Sequence, residues 1–269
     1  MILFLHHRYR TRGGEERAVD DLLWLVREHL GEDAELLARD SRAVSSRAAA
    51  AGMLAGGLHP ATVADAVRRT GARIVHAHNL HPTFGWRSLA AARAAGARVV
   101  MHLHQYRMVC AIGVCFREGA ECTRCHGRNT LPGIALNCRG SRAPALAYGA
   151  GLALWQRRLV ENVDAFVVPS RFARGRLREL GAPVDGAFVV PHVTRRFAAA
   201  PAANPEGDAL IASRLAPEKG VEVAIEACRR AGIGLVVAGE GTQRTQPQEL
   251  AAKDRTASSR RTHPPPIQF

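Results

Sequence analysis

The chain has 269 residues, 47% of them hydrophobic and 23% charged, and a formal net charge of +13. This length and apolar content suit one large globular domain or two ordinary ones, and they exclude a disordered or collagen-like protein. Only two of the 37 basic residues are lysines, the arginines are scattered, and no aromatic array accompanies them, so nucleic-acid binding is not expected. The basic charge leaves contact with anionic phospholipid or a phosphorylated substrate open.

No segment of the sequence predicts a membrane span or a signal peptide. The longest apolar run, residues 143–155, contains Pro144 and two glycines, and it is shorter than the roughly 20 residues that cross a bilayer. Met1 leads directly into the apolar residues 2–5, without a basic region or a cleavage site. We therefore expect a cytoplasmic protein, with peripheral contact at the inner face of the membrane left open.

Short runs rich in Val, Ile and Leu alternate with segments of helical period in the first part of the chain. This alternation is typical of βαβ units and predicts an α/β fold with a parallel sheet. The predicted strands are residues 2–6, 34–37, 73–78, 98–103, 165–169 and 187–191. The predicted helices are residues 15–30, 60–70, 86–95 and 171–180.

The pattern predicts two domains. A first domain, residues 1–193, precedes residues 194–207, which contain two prolines and five alanines without a period and are predicted to be a linker. A partial second α/β domain spans residues 208–241, and residues 242–269 contain too few large apolar residues for a core, so a disordered tail is predicted. The predicted elements of the second domain are the strands 208–212 and 234–238 and the helix 217–231.

Gly13 and Gly14 separate the first predicted strand from a helix that opens with two glutamates. Glycines let a backbone approach a ligand closely, and free N–H groups at a helix start attract phosphate. A simple tight turn explains the pair equally, so both interpretations stay open.

Histidines cluster where predicted strands end. In an open parallel sheet, ligands bind outside the carboxyl ends of the strands. Strand alternation places the members of each strand-end pair on one face of the sheet. A metal centre and a set of hydrogen-bonded structural histidines both remain open. The residues are His76, His78, His81, His102 and His104.

Five cysteines lie within an insertion at residues 105–140. Thiolates are ligands of tetrahedral zinc, and a reducing cytoplasm argues against disulfides. We predict a structural zinc site, with Cys115 in place of Cys110 as the main alternative ligand set, and free thiols in an insertion loop as the other interpretation. The sixth cysteine, Cys228, is a predicted core residue. The predicted ligands are Cys110, Cys122, Cys125 and Cys138.

Two basic residues, Arg214 and Lys219, lie between a predicted strand and helix of the second domain. At a helix N-terminus, such side chains and the fixed backbone dipoles can neutralise a diphosphate. An exposed basic turn is the alternative.

Seven motifs follow one another in the chain. They are Gly13-Gly14-Glu15-Glu16, Val75-His76-Ala77-His78-Asn79, His104-Gln105-Tyr106-Arg107-Met108-Val109-Cys110, Val168-Pro169-Ser170-Arg171-Phe172, Val189-Val190-Pro191-His192-Val193, Ser213-Arg214-Leu215-Ala216-Pro217-Glu218-Lys219-Gly220 and Gly239-Glu240-Gly241. Their order, over about residues 1–241, resembles glycosyltransferase family 4, retaining transferases of GT-B architecture that use nucleotide-diphosphate sugars. The cysteine insertion looks like one found in a subset of that family.

The resemblance implies a complete N-terminal Rossmann-like domain followed by the beginning of a second. It implies transfer of a sugar to a hydroxyl of a sugar or lipid-linked acceptor, in polysaccharide or glycoconjugate synthesis, with no metal needed for catalysis. His104 is the implied catalytic residue, and His76 and His78 lie on the acceptor side. The implied donor-binding residues are Gly13, Gly14, Arg214, Lys219 and Glu240.

Two departures from the family pattern stand out. Gln105 occupies a position where members often carry Asp, and no counterpart of the family's Glu-x7-Glu segment follows Gly241. The alternative to an active transferase is therefore a truncated, inactive remnant or a non-catalytic binding module.

Overall fold

A computed structural model describes residues 1–195, 204, 207–241 and 267–268. The chain divides into two units, one of residues 1–117 and 121–197 and one of residues 118–120 and 198–269. The predicted linker, 194–207, and the predicted disordered tail, 242–269, lie largely outside the described residues. Within the tail, Ile267–Gln268 is a strand and not disordered chain.

The first unit is built on a sheet of six parallel strands, which confirms the predicted α/β class. The strands of this unit and its insertion are β1 (Ile2–Arg8), β2 (Ala34–Asp40), β3 (Ile74–Ala77), β4 (Arg98–His102), β5 (Phe116–Arg117), β6 (Ala120–Glu121), β7 (Ala165–Val168) and β8 (Phe188–Val189). The sheet order is β2-β1-β3-β4-β7-β8.

Helices cover the sheet on both faces. Because parallel crossovers are right-handed, the connection from β1 to β2 places its helix on one face, and the connections running the other way place theirs on the opposite face. The helices are α1 (Gly14–Glu28), α2 (Ser46–Ala55), α3 (Ala61–Thr70), α4 (Gly85–Ala94), α5 (Pro132–Ala135), α6 (Arg142–Glu161) and α7 (Arg171–Glu179).

The two faces bury separate apolar clusters. Phe4 packs with Val19 and Leu22 of α1, whereas the neighbouring Leu3 and Leu5 belong to the larger cluster on the other face. This alternation along β1 is what a strand covered on both faces requires. It also places the even-numbered residues of β1 and β3 on the α1 face.

Helices α2 and α6 were not among the predicted elements. Pro144 lies in the first turn of α6, where its missing N–H breaks no helical hydrogen bond. Gly149 and Gly151 allow close packing, because a Cβ would lie 2.4 Å from Ile134 Cγ1 and 2.6 Å from the carbonyl oxygen of Met53, respectively. Within the described residues, no helix has both the length and the apolar character needed to cross a bilayer.

The second unit contains a small parallel sheet of order β11-β10-β9. Its elements are β9 (Ala209–Ala212), a 3-10 turn (Pro217–Lys219), α8 (Val221–Ala231), β10 (Leu235–Ala238) and β11 (Ile267–Gln268). The predicted continuous helix 217–231 is wrong at Gly220, whose φ of +62° ends the 3-10 turn before α8 begins. Leu215, Val221 and Leu235 contribute to its core.

Candidate functional site

Histidine rings line the carboxyl edge of the large sheet. Phe4 pairs with His76, and His76 pairs with Val100, in the strand register, so two residues further on His78 lies beside the end of β4. The ring centroids of His76 and His78 are 4.5 Å apart. Those of His102 and His104 are 4.2 Å apart. The predicted same-face placement is therefore confirmed for both pairs.

The stack continues beyond the predicted residues. The His192 ring stacks on His104 at 5.2 Å, and His6 meets His78 edge to face at 6.4 Å. His81 lies in the loop after β3, where its backbone N–H donates to Asn79 Oδ1 at 3.2 Å.

The rings of His76, His102 and His104 are neutral at physiological pH. Burial, followed by neighbouring histidines, lowers the pKa of His104 to about 2 and that of His102 to about 3. Burial lowers the pKa of His76 to about 4. His78 Nδ1 and His104 Nε2 share a hydrogen bond of 2.7 Å, so one ring donates and the other accepts. His104 can therefore act through hydrogen bonds and not as a cation.

The Glu16 side chain holds the loop between β1 and α1, here called the first loop. Its carboxylate accepts hydrogen bonds from the backbone N–H groups of Gly13 (2.8 Å) and Tyr9 (2.9 Å), and His6 Nε2 lies 3.7 Å away. Burial alone would raise the pKa of Glu16, but the nearby His6 ring and the hydrogen bonds from Tyr9 and Gly13 lower it to about 2. The loop before α1 is thus held by a charged carboxylate.

The two loop glycines do not need glycine's special backbone freedom. Gly13 has an extended conformation with φ of −133°, and Gly14 is the first residue of α1. A Cβ at Gly14 would meet no protein atom within 4 Å. Within the described chain, packing therefore does not explain this glycine, and open space adjoins the start of α1.

Gln105 connects the first loop to the histidine edge. Its Nε2 donates to Glu15 Oε2 at 3.1 Å and to the Tyr9 hydroxyl, and that hydroxyl donates to Glu15 Oε2 at 2.9 Å. Burial raises the pKa of Glu15. An Asp at position 105 would place a second carboxylate beside Glu15, whereas the Gln amide supplies a donor.

A cleft lies beside this network. Its lining includes the polar residues Glu15, His78, His104 and Gln105 and the apolar residues Trp86, Met101, Trp155 and Leu159. Its enclosed volume is about 60 Å³, room for about four or five waters and not for a whole hexose. His76 is not among the lining residues. The enclosed part of the cleft therefore accommodates only part of a substrate.

The predicted zinc ligands Cys110, Cys122, Cys125 and Cys138 line one small cavity of about 10 Å³, about the space of one water or ion. Cys115 shares a hydrogen bond with Cys110, which lowers the pKa of Cys110 to about 5 and raises that of Cys115. In the part of the chain that the structure describes, no three cysteine sulfurs lie within 4.8 Å of one another. Tetrahedral zinc needs sulfurs about 3.8 Å apart, so the cavity has the right residues at a wider spacing. The zinc site stays a prediction.

In the second unit, Arg214 and Lys219 are exposed residues of the connection from β9 to α8. The Arg214 guanidinium forms an ion pair with Glu218, and such an exposed pair is weak enough to exchange for a ligand. The backbone N–H of Leu215 donates to the carbonyl oxygen of Glu240 at 2.9 Å. A Cβ at Gly241 would lie 2.0 Å from the Leu215 carbonyl oxygen, which explains a glycine after Glu240.

The model of the glycosyl transferase 4-like domain family matches residues 4–192. The chain belongs to the glycosyl transferase 4-like family. The matched range includes the first loop, the histidine edge and the cysteine insertion, so the resemblance found in the sequence is confirmed at the family level. Arg214 and Lys219 lie outside it.

A solved structure of HepE from Anabaena, in complex with UDP, is similar to this family member over 95% of the chain. The sequence identity is 14% and the TM-score is 0.48, and the chain spans 65% of the length of that structure. The search of curated proteins found no match.

Sequence reasoning missed two residues of the site in this transferase-like domain, His6 and Tyr9. His6 shares the α1 face with Phe4, so the alternation along β1 could have placed it beside His78. Tyr9 lies just after β1 and is joined to the site only through hydrogen bonds to Glu15 and Gln105. No pattern in the local sequence predicts those hydrogen bonds.

Proposed function

We propose that this chain is a retaining glycosyltransferase that moves a sugar from a nucleotide-diphosphate donor to an acceptor hydroxyl, in polysaccharide or glycoconjugate synthesis. The observation that carries the proposal is the cleft inside the family-matched domain. There a hydrogen bond from Gln105, the residue that follows His104 in the chain, to Glu15 connects the first loop to the histidine edge.

In the proposed reaction the bond from the sugar's anomeric carbon to the diphosphate oxygen breaks, and a bond to the acceptor oxygen forms. The acceptor proton leaves with the nucleoside diphosphate. Arg214 and Lys219 bind the diphosphate as paired cations. Their exposure in the second unit supports this role. Glu240 lies beside Leu215 in the same unit and is assigned to donor binding.

His104 is the proposed catalytic residue, acting as a neutral hydrogen-bonding group at the transferred sugar. Its lowered pKa and its hydrogen bond to His78 support that form. Gly13 and Gly14 provide amides at the start of α1, and the open space at Gly14 supports a ligand there. His78, which lines the cleft, and His76, which does not, are assigned to the acceptor side.

We assign no metal to catalysis and a structural zinc ion to the cysteine cavity, whose four lining thiols support it. The acceptor is a sugar or lipid-linked saccharide.

The protein is assigned to the cytoplasm with peripheral contact at the inner membrane face. Leu146 and Leu154, eight residues apart on α6 and 55% and 60% exposed, support this contact. Flotation of the chain with anionic vesicles, lost in Leu154→Ser, tests it.

A mass-spectrometric screen of nucleotide sugars against saccharide acceptors tests the transfer. UDP-sugars come first, since UDP is the ligand in the HepE structure, and GDP-sugars follow. We expect a product with the chain, its loss in His104→Ala, and its retention in the control His29→Ala, which alters an exposed residue at the end of α1. If no donor and acceptor pair gives product, the transfer is wrong.

The second candidate is a non-catalytic binding module, the role expected of an inactive remnant. The observation that favours it is that the cleft, the first loop and His104 all lie in the first unit. Saturation-transfer NMR with the acceptor panel, without donor, separates the two. Acceptor binding without any transfer supports the module.

A further inference from the structure

Three histidines of the sheet edge carry buried ring nitrogens that no hydrogen bond satisfies within the described chain. They are His76 Nε2, His78 Nε2 and both ring nitrogens of His102. His78 and His102 are each only 2% exposed. Leaving a buried polar group unpaired costs free energy, so several such groups side by side call for a ligand that occupies them.

The same three residues have the geometry of a metal site. One ring nitrogen from each lies within 4.8 Å of the other two. His76 and His78 are two residues apart along β3 and its end, and His102 is the last residue of the adjacent β4. Nitrogen ligands of tetrahedral zinc stand about 3.4 Å apart, so the three nitrogens have to approach one another by up to about 1.4 Å to close the site.

The ligand atoms suit a transition metal. Metals bind imidazole through a ring nitrogen that carries no proton. Neutral imidazoles favour zinc, copper, nickel and iron over magnesium and calcium.

The structure also provides a route for an ion to enter. His102 belongs to a second triplet with His104 and His192, in which one nitrogen from each ring again lies within 4.8 Å of the others. His192 is exposed and His104 half-buried. The two triplets therefore form a continuous series of histidines from the surface to the interior, joined at His102.

We propose that His76, His78 and His102 bind one divalent transition-metal ion, with a water molecule as the fourth ligand. This site goes beyond the proposed transfer, which assigns no metal ion, although His76 and His78 are also the residues assigned above to the acceptor side. Metal binding is measured without donor or acceptor, so its failure and the failure of sugar transfer are distinguishable.

Titration of the untagged chain with Co²⁺ tests the site. Thiolate ligands of Co²⁺ give intense near-ultraviolet charge-transfer bands, whereas imidazole and water ligands give only weak visible bands, so the two classes of site are separable in one spectrum. We expect His76→Phe and His102→Phe each to lower the bound Co²⁺ by about one ion per chain and to leave the near-ultraviolet bands unchanged. The control His29→Phe, whose ring packs on Trp24 at 4.6 Å, should bind as much Co²⁺ as the wild-type chain.

Electron paramagnetic resonance of the wild-type chain with one equivalent of Cu²⁺ gives a second readout that needs no variant. Hyperfine coupling to imidazole nitrogens that disappears when Zn²⁺ is added in excess supports a shared histidine site. Unchanged Co²⁺ binding in both phenylalanine variants, or a Cu²⁺ signal without imidazole coupling, would overturn the proposal.

Discussion

Replacing Glu16 by Gln should destabilise the first unit in a pH-dependent way. The carboxylate accepts from two backbone N–H groups, and its side chain is buried at 5% exposure. Gln retains one acceptor oxygen and turns an amide group toward the second donor. A carboxyl whose pKa falls from 4.5 to about 2 on folding stabilises the folded state by about 3 kcal/mol near neutral pH.

The direction of this pH dependence follows from the coupling between proton binding and folding. Because the folded-state pKa is the lower one, the stabilisation is present above the unfolded-state pKa of 4.5 and declines as the pH falls toward about 2. Near pH 3 it should be about half of its value at neutral pH. The free-energy difference between wild type and Glu16→Gln should therefore shrink by about half between pH 7 and pH 3.

Urea denaturation followed by circular dichroism at a series of pH values measures this difference. Glu28→Gln is the matched control, since Glu28 is an exposed residue of the same helix, and its effect should be small at every pH. If Glu16→Gln destabilises the chain equally across the series, the carboxylate charge does not hold the loop and the reasoning fails.

Three further substitutions test packing and the cysteine cavity. Cys122→Ser should lower the zinc content of purified protein by about one ion per chain, and Cys228→Ser should not; equal contents by metal analysis would remove Cys122 from the ligand set. Gly149→Ala should cost about 1–3 kcal/mol in urea denaturation, because its Cβ would lie 2.4 Å from Ile134 Cγ1, whereas Gly175→Ala on α7 has room and should be neutral or stabilising. Gly241→Ala should speed hydrogen exchange in β10, because its Cβ would meet the Leu215 carbonyl oxygen; unchanged exchange would contradict that contact.

The six strands of the large sheet could be predicted from sequence because each contains a short apolar run, whereas the two-residue strands β5, β6 and β11 contain no such run and were not predicted. β3 and β4 are covered on both faces and every second residue is buried, so their apolar pattern is strong, and their predicted ends differ from the observed ones by at most one residue. Helix α6 was missed because Pro144, Gly149 and Gly151 lower its intrinsic helix propensity. Its stability comes from packing against α2 and α5. Contacts between separate elements cannot be recognised in a short stretch of sequence.

The candidate site was predictable only in part. The histidines were found because they follow predicted strands, where a parallel sheet binds ligands. The connection through Tyr9, Glu15 and Gln105 joins residues up to 96 positions apart, and such contacts depend on the tertiary fold. For the same reason the sequence could name the four cysteines but not the spacing of their sulfurs.

The most direct test of the account measures nucleoside diphosphate released from nucleotide sugars in the presence of an acceptor. The wild-type chain should release it only together with transferred sugar. Arg214→Ala and Lys219→Ala should each slow release by about 10- to 150-fold, the loss of one charge-assisted hydrogen bond worth about 1.5–3 kcal/mol. Acceptor-dependent release that neither substitution slows, or no release from any donor, would contradict a transferase that binds its donor through these residues.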